Sequence, residues 1–111
     1  MSKYSRSTLT TLSKKMELIS KTYFVSKKRI KLKDGLHEKF DKHEKNASDI
    51  YIDRVEQAYE QLDPLEQLFI NNDFFYQEYP FWWTENFSRS TYFRQKKKAI
   101  IHFLVLFYEE D

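Results

Sequence analysis

Apolar residues recur every three or four positions over most of this chain, which is the periodicity of one face of an α-helix. The first such stripe is formed by Leu9, Leu12, Met16, Ile19, Tyr23 and Ile30. We predict a long helix here, with Ser7 or Thr8 as its cap and Gly35 as its stop. The stripe is as narrow as a coiled-coil seam. We expect it to pack on the rest of the chain, and a helical partner from another chain is the alternative.

Two further helices are predicted between residues 48 and 76. The second helix is capped by Ser48 and Asp49, and its apolar positions are Tyr51, Ile52, Val55, Ala58, Tyr59 and Leu62. Asp63 is the expected N-cap of the third helix and Pro64 its first residue, where a missing N–H costs nothing. The apolar residues Leu65, Leu68, Phe69 and Phe75 carry that helix to about Tyr76. Residues 36–46 are highly charged, and we expect a short exposed helix or a connector.

The last quarter of the chain predicts a short helix followed by a long one. Pro80 opens the short helix, which holds Trp82, Trp83 and Phe87. Ser88 is the expected N-cap of the long helix, which meets no Gly or Pro before the end of the sequence. Its first half is polar and basic, whereas residues 99–108 are apolar nearly all round. A helix of that kind must be buried, and we expect the N-terminal stripe to cover it.

Composition supports an all-α fold. The 111 residues include one Gly and two Pro, which excludes a β-sandwich with many tight turns and every Gly-rich phosphate loop. The absence of Cys excludes disulfides and thiolate chemistry. The longest apolar stretch has ten residues and is too short to span a bilayer. We therefore expect a cytoplasmic protein without membrane contact.

Charge is distributed in blocks along the chain. Residues 1–45 carry 13 basic and 5 acidic side chains, whereas residues 46–85 carry one basic and nine acidic ones. Residues 86–98 carry five basic side chains and no acidic one. The formal net charge of +2 therefore hides two basic blocks around an acidic block. This pattern favours a polyanionic partner.

Residues suited to catalysis or metal binding are scattered. The three histidines, His37, His43 and His102, have no helical i, i+3 or i, i+4 spacing. Glu56 and Glu60 have that spacing, but no His lies near them in the sequence. The hydroxyls of the segment Ser88–Thr91 have no adjacent His or Lys to activate them. We predict no catalytic residue, no metal site and no cofactor, and hence no enzyme.

The pattern of the C-terminal half of the chain favours a helix-turn-helix. A short helix, a tight connection and a helix with basic first turns form this motif, whose second helix enters the DNA major groove. On that helix Ser90, Arg94 and Lys97 share one face. Tyr92 and Ala99 share the opposite face, together with Phe103. One face is thus suited to DNA and the other to the core.

The same residues resemble a known family. The segment Leu62-Asp63-Pro64-Leu65-Glu66, and Phe87-Ser88-Arg89-Ser90-Thr91-Tyr92-Phe93-Arg94 followed by Lys96-Lys97-Lys98-Ala99-Ile100, resemble region 4 of bacterial sigma factors. They are also similar to ArpU-type phage transcription regulators and to small uncharacterised mollicute proteins. The resemblance covers residues 62–104, under half of the chain. It implies that Ser88 begins the recognition helix and that Arg89, Ser90 and Arg94 reach DNA.

The chain departs from that family at two places. Lys96 stands where the family usually has an apolar residue, and the bulky segment 81–84 replaces small apolar residues. No sigma region 2, which melts promoters, is present, so a complete sigma factor is excluded. What the resemblance implies is a DNA-binding or polymerase-associated module.

These observations predict a small helical bundle with a C-terminal helix-turn-helix and a long final helix. Residues 1–46 form a basic helical arm that packs on the rest, and residues 47–111 form the helix-turn-helix domain. The expected partner is double-stranded DNA, contacted by Ser88, Arg89, Ser90, Thr91, Phe93, Arg94, Lys97 and Lys98. The alternative is a module that binds RNA polymerase or another protein through its acidic middle and its Leu9-to-Ile30 stripe, without contacting DNA. A monomer is favoured, and a homodimer through the N- or C-terminal helix is left open.

Overall fold

Helices account for most of the chain in the computed structural model, which describes residues 6–37 and 46–109. The elements are α1 (Arg6–His37), α2 (Ala47–Glu60), α3 (Pro64–Ile70), a π-helical turn (Asn71–Phe75) and α4 (Arg89–Tyr108). Those two ranges contain no β-strand. The predicted all-α bundle with a long final helix is therefore confirmed. Most of the charged segment 36–46, namely residues 38–45, lies outside the described residues.

The N-terminal stripe packs on the rest of its own chain, as predicted. Met16, Ile19 and Tyr23 are buried where α1 crosses α2 and α4. The Ser20 hydroxyl donates a hydrogen bond of 2.8 Å to the carbonyl of Phe74 in the π-helical turn. The same stripe is therefore not available to a helix of another chain over these positions.

The ends of α1 were predicted less well than its apolar face. The described helix already includes Arg6, Ser7 and Thr8, so neither Ser7 nor Thr8 is its N-cap. It also continues through Gly35 to His37. Glycine lowers helix stability by only about 1 kcal/mol relative to alanine, which does not stop a helix of this length.

The predicted cap of α2 was wrong by two residues. Asn46, not Ser48, is the N-cap, and its side-chain oxygen accepts a hydrogen bond of 2.9 Å from the backbone N–H of Asp49. The carboxylate of Asp49 accepts in return from the backbone N–H of Asn46, at 3.2 Å. This reciprocal capping box satisfies two orphan donors and so fixes where the helix starts.

The start of α3 agrees with prediction, and its end has an unusual form. Pro64 is the first residue after the N-cap Asp63, whose backbone N–H donates to the Glu66 carboxylate at 3.0 Å. After Ile70 the backbone widens into the π-helical turn, where the N–H of Tyr76 donates to the carbonyl of Asn71. The helical path thus reaches about Tyr76, as the apolar pattern indicated.

The short helix predicted from Pro80 is replaced by overlapping turns over residues 80–86. Their hydrogen bonds join residues three apart, as from Thr84 N–H to the Phe81 carbonyl at 3.1 Å. Two large rings of this segment pack on neighbouring elements. Trp82 packs edge-on against Phe69 and Trp83 stacks on Tyr92, at centroid distances of 5.0 and 4.2 Å. Both rings thus hold this segment of turns against α3 and α4.

The core lies where α1, α2 and α4 meet and is closed by α3. The expectation that residues 99–108 of α4 are buried all round was wrong for Val105 and Tyr108, which are 48% and 62% exposed. The second half of α4 buries Ala99, Ile100, Phe103 and Phe107 completely or nearly so. Arg54 of α2 holds the end of α4, because its guanidinium donates to the Phe107 carbonyl at 2.7 Å and lies 4.6 Å from the Phe107 ring centroid. Arg54 thus anchors the C-terminal end of α4, and the outer face of the first half of that helix remains exposed to solvent.

Candidate nucleic-acid interface on the last helix

Hydroxyl groups organise the first turn of α4. Ser88 is the N-cap, as predicted, and its hydroxyl accepts a hydrogen bond of 3.2 Å from the backbone N–H of Thr91. The same hydroxyl donates to the Thr91 hydroxyl at 3.0 Å. The Thr91 hydroxyl in turn accepts from the guanidinium of Arg94, at 3.4 Å. The beginning of the helix and the outward-facing Arg94 are therefore connected.

The basic side chains of this helix face away from the core. Arg89, Arg94 and Lys98 are exposed, and Lys97 is partly buried. The Arg89 guanidinium lies 5.7 Å from the centroid of the Phe93 ring, a cation–π contact at the surface. Ser90 is exposed on the same side. Of the eight residues predicted as a DNA contact, six are exposed and two, Thr91 and Lys97, are partly buried. Five of the eight line one groove, namely Ser90, Phe93, Arg94, Lys97 and Lys98.

Lys96 is the one cation of this segment that turns inward. Its ammonium nitrogen is 3.5 Å from the Asp73 carboxylate and about 5.5 Å from the ring centroids of Phe74 and Tyr92. The aliphatic stem therefore covers aromatic surface while the charge is paired.

Asp73 joins three elements next to the basic surface. Its carboxylate accepts a hydrogen bond of 2.8 Å from the indole N–H of Trp82 and one of 2.6 Å from the hydroxyl of Tyr92. Lys96 completes the cluster. The Asp73 side chain is 8% exposed. The π-helical turn, the turns before α4 and α4 itself are thus fastened at one carboxylate, which the sequence alone did not reveal.

Alkaline conditions are expected to destabilise this cluster. Burial, and then the hydrogen bond to Asp73, raise the pKa of Tyr92 above its ordinary value near 10. In the unfolded chain the same hydroxyl ionises at its ordinary value, so above pH 10 the unfolded state binds fewer protons than the folded state. Stability is therefore full below about pH 10 and falls as the pH rises further. Thermal unfolding followed by circular dichroism between pH 8 and 11.5 measures this decline. Tyr92→Phe should make the decline shallower, and an unchanged profile in that variant would contradict this assignment.

A groove runs beside the basic surface. It has a volume of about 1070 Å³, and Leu9 of α1 and Asp63 before α3 lie among the residues of its walls. Arg94, Lys97 and Lys98 line it from α4, and further along that helix Ile101, His102 and Val105 do so as well. Leu9 and Asp63 were not predicted as neighbours of the basic surface, because they are brought there only by the packing of α1 and α3 on α4. Ile101 is on α4, one turn after Lys97 and Lys98, and its place follows from helical spacing.

An acid–histidine pair lies in the same groove. The Glu66 carboxylate is buried and its oxygen is 2.7 Å from Nδ1 of His102. The same carboxylate accepts from the backbone N–H of Asp63, at 3.0 Å. Glu66 therefore joins the start of α3 to the middle of α4. His102 lies in an apolar stretch of the sequence, and this contact with Glu66 gives its ring nitrogen a hydrogen-bond partner there.

Much of the acidic block serves internal contacts. Asp49 caps α2, Glu66 meets His102, and Asp73 binds three donors. Glu56 accepts a hydrogen bond of 2.7 Å from the hydroxyl of Tyr23. These four carboxylates face neighbours within the chain, which reduces the negative charge that the middle segment presents outward. The predicted acidic partner surface is therefore smaller than the sequence suggests.

Comparison of the chain with protein-family models, with curated proteins and with solved structures finds no match. Within residues 6–37 and 46–109, no helix has the length and apolar character needed to cross a membrane. The same ranges hold no group of three His, Asp or Glu side chains arranged to bind a metal ion.

Proposed function

We propose that this protein is a small, transcription-related, cytoplasmic protein that binds duplex DNA as a monomer through the first three turns of α4. The observation that carries the proposal is the outward surface from Ser88 to Lys98, where cations and hydroxyls lie together. Phosphates are bound by Lys and Arg side chains and by hydroxyls, whereas base edges are recognised by Arg and short polar side chains. Both kinds of group are present on this helix.

The roles of the individual residues follow from their positions. Arg94 and Ser90 face outward on adjacent turns and are assigned to base edges. Lys98 lies a turn further along the helix and is assigned to phosphate, because recognition helices place their N-terminal residues in the groove and their later residues beside the backbone. The resemblance to sigma region 4 supports the same arrangement, with the turns over residues 80–86 in place of the first helix of the motif.

Phosphate contact predicts a salt-dependent affinity for any duplex. The logarithm of the binding constant should fall with the logarithm of salt concentration by about 0.9 for each phosphate neutralised. Lys98→Ala should reduce that slope by about one and weaken cognate and random duplexes alike. Lys31→Ala is the matched control, since it removes the same charge from α1 about 33 Å along the helix from Leu9. Fluorescence anisotropy with a labelled duplex between 50 and 300 mM salt gives the slopes.

Base recognition is tested in the same assay with a duplex selected from a randomised pool. Arg94→Ala should lower affinity for the selected duplex by about 1–3 kcal/mol and relax the preference at one base pair. Its affinity for random duplex should fall less. An equal loss on both duplexes would make Arg94 a phosphate contact. Affinity that does not depend on salt, or no binding at 50 mM salt, would exclude the proposed function.

A further inference from the structure

The outer face of α1 carries a second stripe, which faces away from the bundle. Leu18, Val25 and Leu32 are spaced by seven residues and are 66%, 50% and 67% exposed. Three lysines, also spaced by seven, alternate with them at steps of three and four: Lys14, Lys21 and Lys28. Residues with this spacing lie along one line of a helix. The buried stripe of α1, which holds Met16 and Tyr23, is on the opposite side.

This outer stripe has the layout of one half of a coiled coil. In a heptad repeat the apolar row occupies position a and the lysine row position d. The flanking positions e and g then hold three cations, Lys15, Arg29 and Lys31, together with Glu17, Thr22 and Phe24. Glu17 is the one acidic residue of that seam. From Lys14 to Leu32 the seam has 19 residues and is about 28 Å long. A facing helix would find the three apolar side chains of position a and six cations.

Charge decides which helix fits. If the α1 helices of two copies paired through this stripe, lysines would face lysines in the core of the interface, and the flanking positions would also carry a net positive charge. Like charges brought together at an interface cost several kcal/mol. A helix with apolar residues facing Leu18, Val25 and Leu32, and with Glu or Asp facing the lysine row, would pair all three lysines of that row. Apolar residues spaced by two helical turns are also too sparse for insertion into a lipid surface, which requires a wide apolar face.

We propose that the outer face of α1 docks an acidic helix of a partner protein by heptad packing. Leu18, Val25 and Leu32 contact the apolar residues of that helix, and Lys14, Lys21 and Lys28 contact its carboxylates. The small apolar area makes this a weak, reversible interaction of the kind found in transient assemblies. It does not depend on DNA binding, because the surface is on a different helix from the one assigned to DNA.

The test uses the full chain and two labelled 21-residue peptides that carry leucine at one core position of every heptad. In the first peptide, Glu occupies the other core position and both flanking positions of each heptad. In the second peptide, Lys occupies those positions. In fluorescence anisotropy at 150 mM salt, the Glu peptide should bind with micromolar affinity and at least tenfold more tightly than the Lys peptide. The variant Lys21→Glu/Lys28→Glu should lose at least tenfold in affinity for the Glu peptide and gain affinity for the Lys peptide.

A double substitution on α4, Arg94→Glu/Lys98→Glu, is the matched control. It changes the net charge by the same amount and should keep the affinity for the Glu peptide while losing DNA binding. Thermal melting confirms that both double variants remain folded, which their exposed positions favour. Equal binding of both peptides, or a preference that charge reversal on α1 does not move, would overturn the proposal. So would binding to anionic phospholipid vesicles without binding to the Glu peptide, or a dimer in sedimentation that Leu18→Asp dissociates.

Discussion

Replacing Phe103 by alanine is expected to lower the free energy of unfolding by about 3–5 kcal/mol. Phe103 has no exposed surface and stacks on Phe107 at a centroid distance of 5.8 Å, in the cluster where α1, α2 and α4 meet. Truncation removes the transfer energy of the ring and leaves a cavity that three long helices cannot close. Since small domains have about 5–15 kcal/mol in total, this single change removes a large share.

A matched control is available two residues away on the same helix. Val105 is 48% exposed, so Val105→Ala should change the free energy of unfolding by less than about 1 kcal/mol. Urea denaturation followed by circular dichroism measures both variants, and the denaturant slope should be the same in each. Equal losses in the two variants would show that α4 is not held by the buried side of its second half.

The helices were predictable because their signals are local. The stripe of α1, the break at Asp63 and Pro64, and the Ser88 cap of α4 each depend on residues within a few positions of one another. The difference between the basic and apolar halves of α4 was likewise visible in the order of its residues. Burial of Tyr92 and Ala99 opposite Ser90 and Arg94 followed from helical geometry alone.

What could not be predicted depends on contacts between distant residues. Lys96 was one of three consecutive lysines, and only the position of Asp73, 23 residues earlier, turns it inward. Glu66 was visible as the third residue of α3, but not as a partner of His102, 36 residues later. The contacts of Trp82 with Phe69 and of Trp83 with Tyr92 likewise join different elements of the fold.

The outer stripe of α1 shows a different limit. Its seven-residue spacing is present in the sequence, but the inner stripe of the same helix has more apolar residues and was therefore the stripe predicted to pack. Only the exposed positions of Leu18, Val25 and Leu32 separate the row that the bundle covers from the row that it leaves open. Periodicity thus gives the faces of a helix, and packing decides which face remains for a partner.

Replacing Asp73 by alanine is expected to destabilise the protein by about 3–5 kcal/mol, the cost of removing one partner from a buried charge pair. The change leaves the Tyr92 hydroxyl, the Trp82 indole N–H and the Lys96 ammonium without their shared acceptor. Asp73→Asn keeps one oxygen acceptor and should cost less. Glu78→Gln is the control, because Glu78 is an exposed acid only five residues away.

A double-mutant cycle separates the cluster from the simple loss of one acid. If Tyr92 and Asp73 act through their 2.6 Å hydrogen bond, Tyr92→Phe should cost much less in the Asp73→Ala background than in the unchanged protein. The interaction energy should be about 1–3 kcal/mol, the range for hydrogen bonds to charged groups and their unsatisfied partners. Urea denaturation of the four proteins gives this value, and strictly additive losses would show that the pair is not coupled. Because the cluster also fastens the turns before α4, Asp73→Ala should shift the tryptophan fluorescence of the folded state, whereas Glu78→Gln should not.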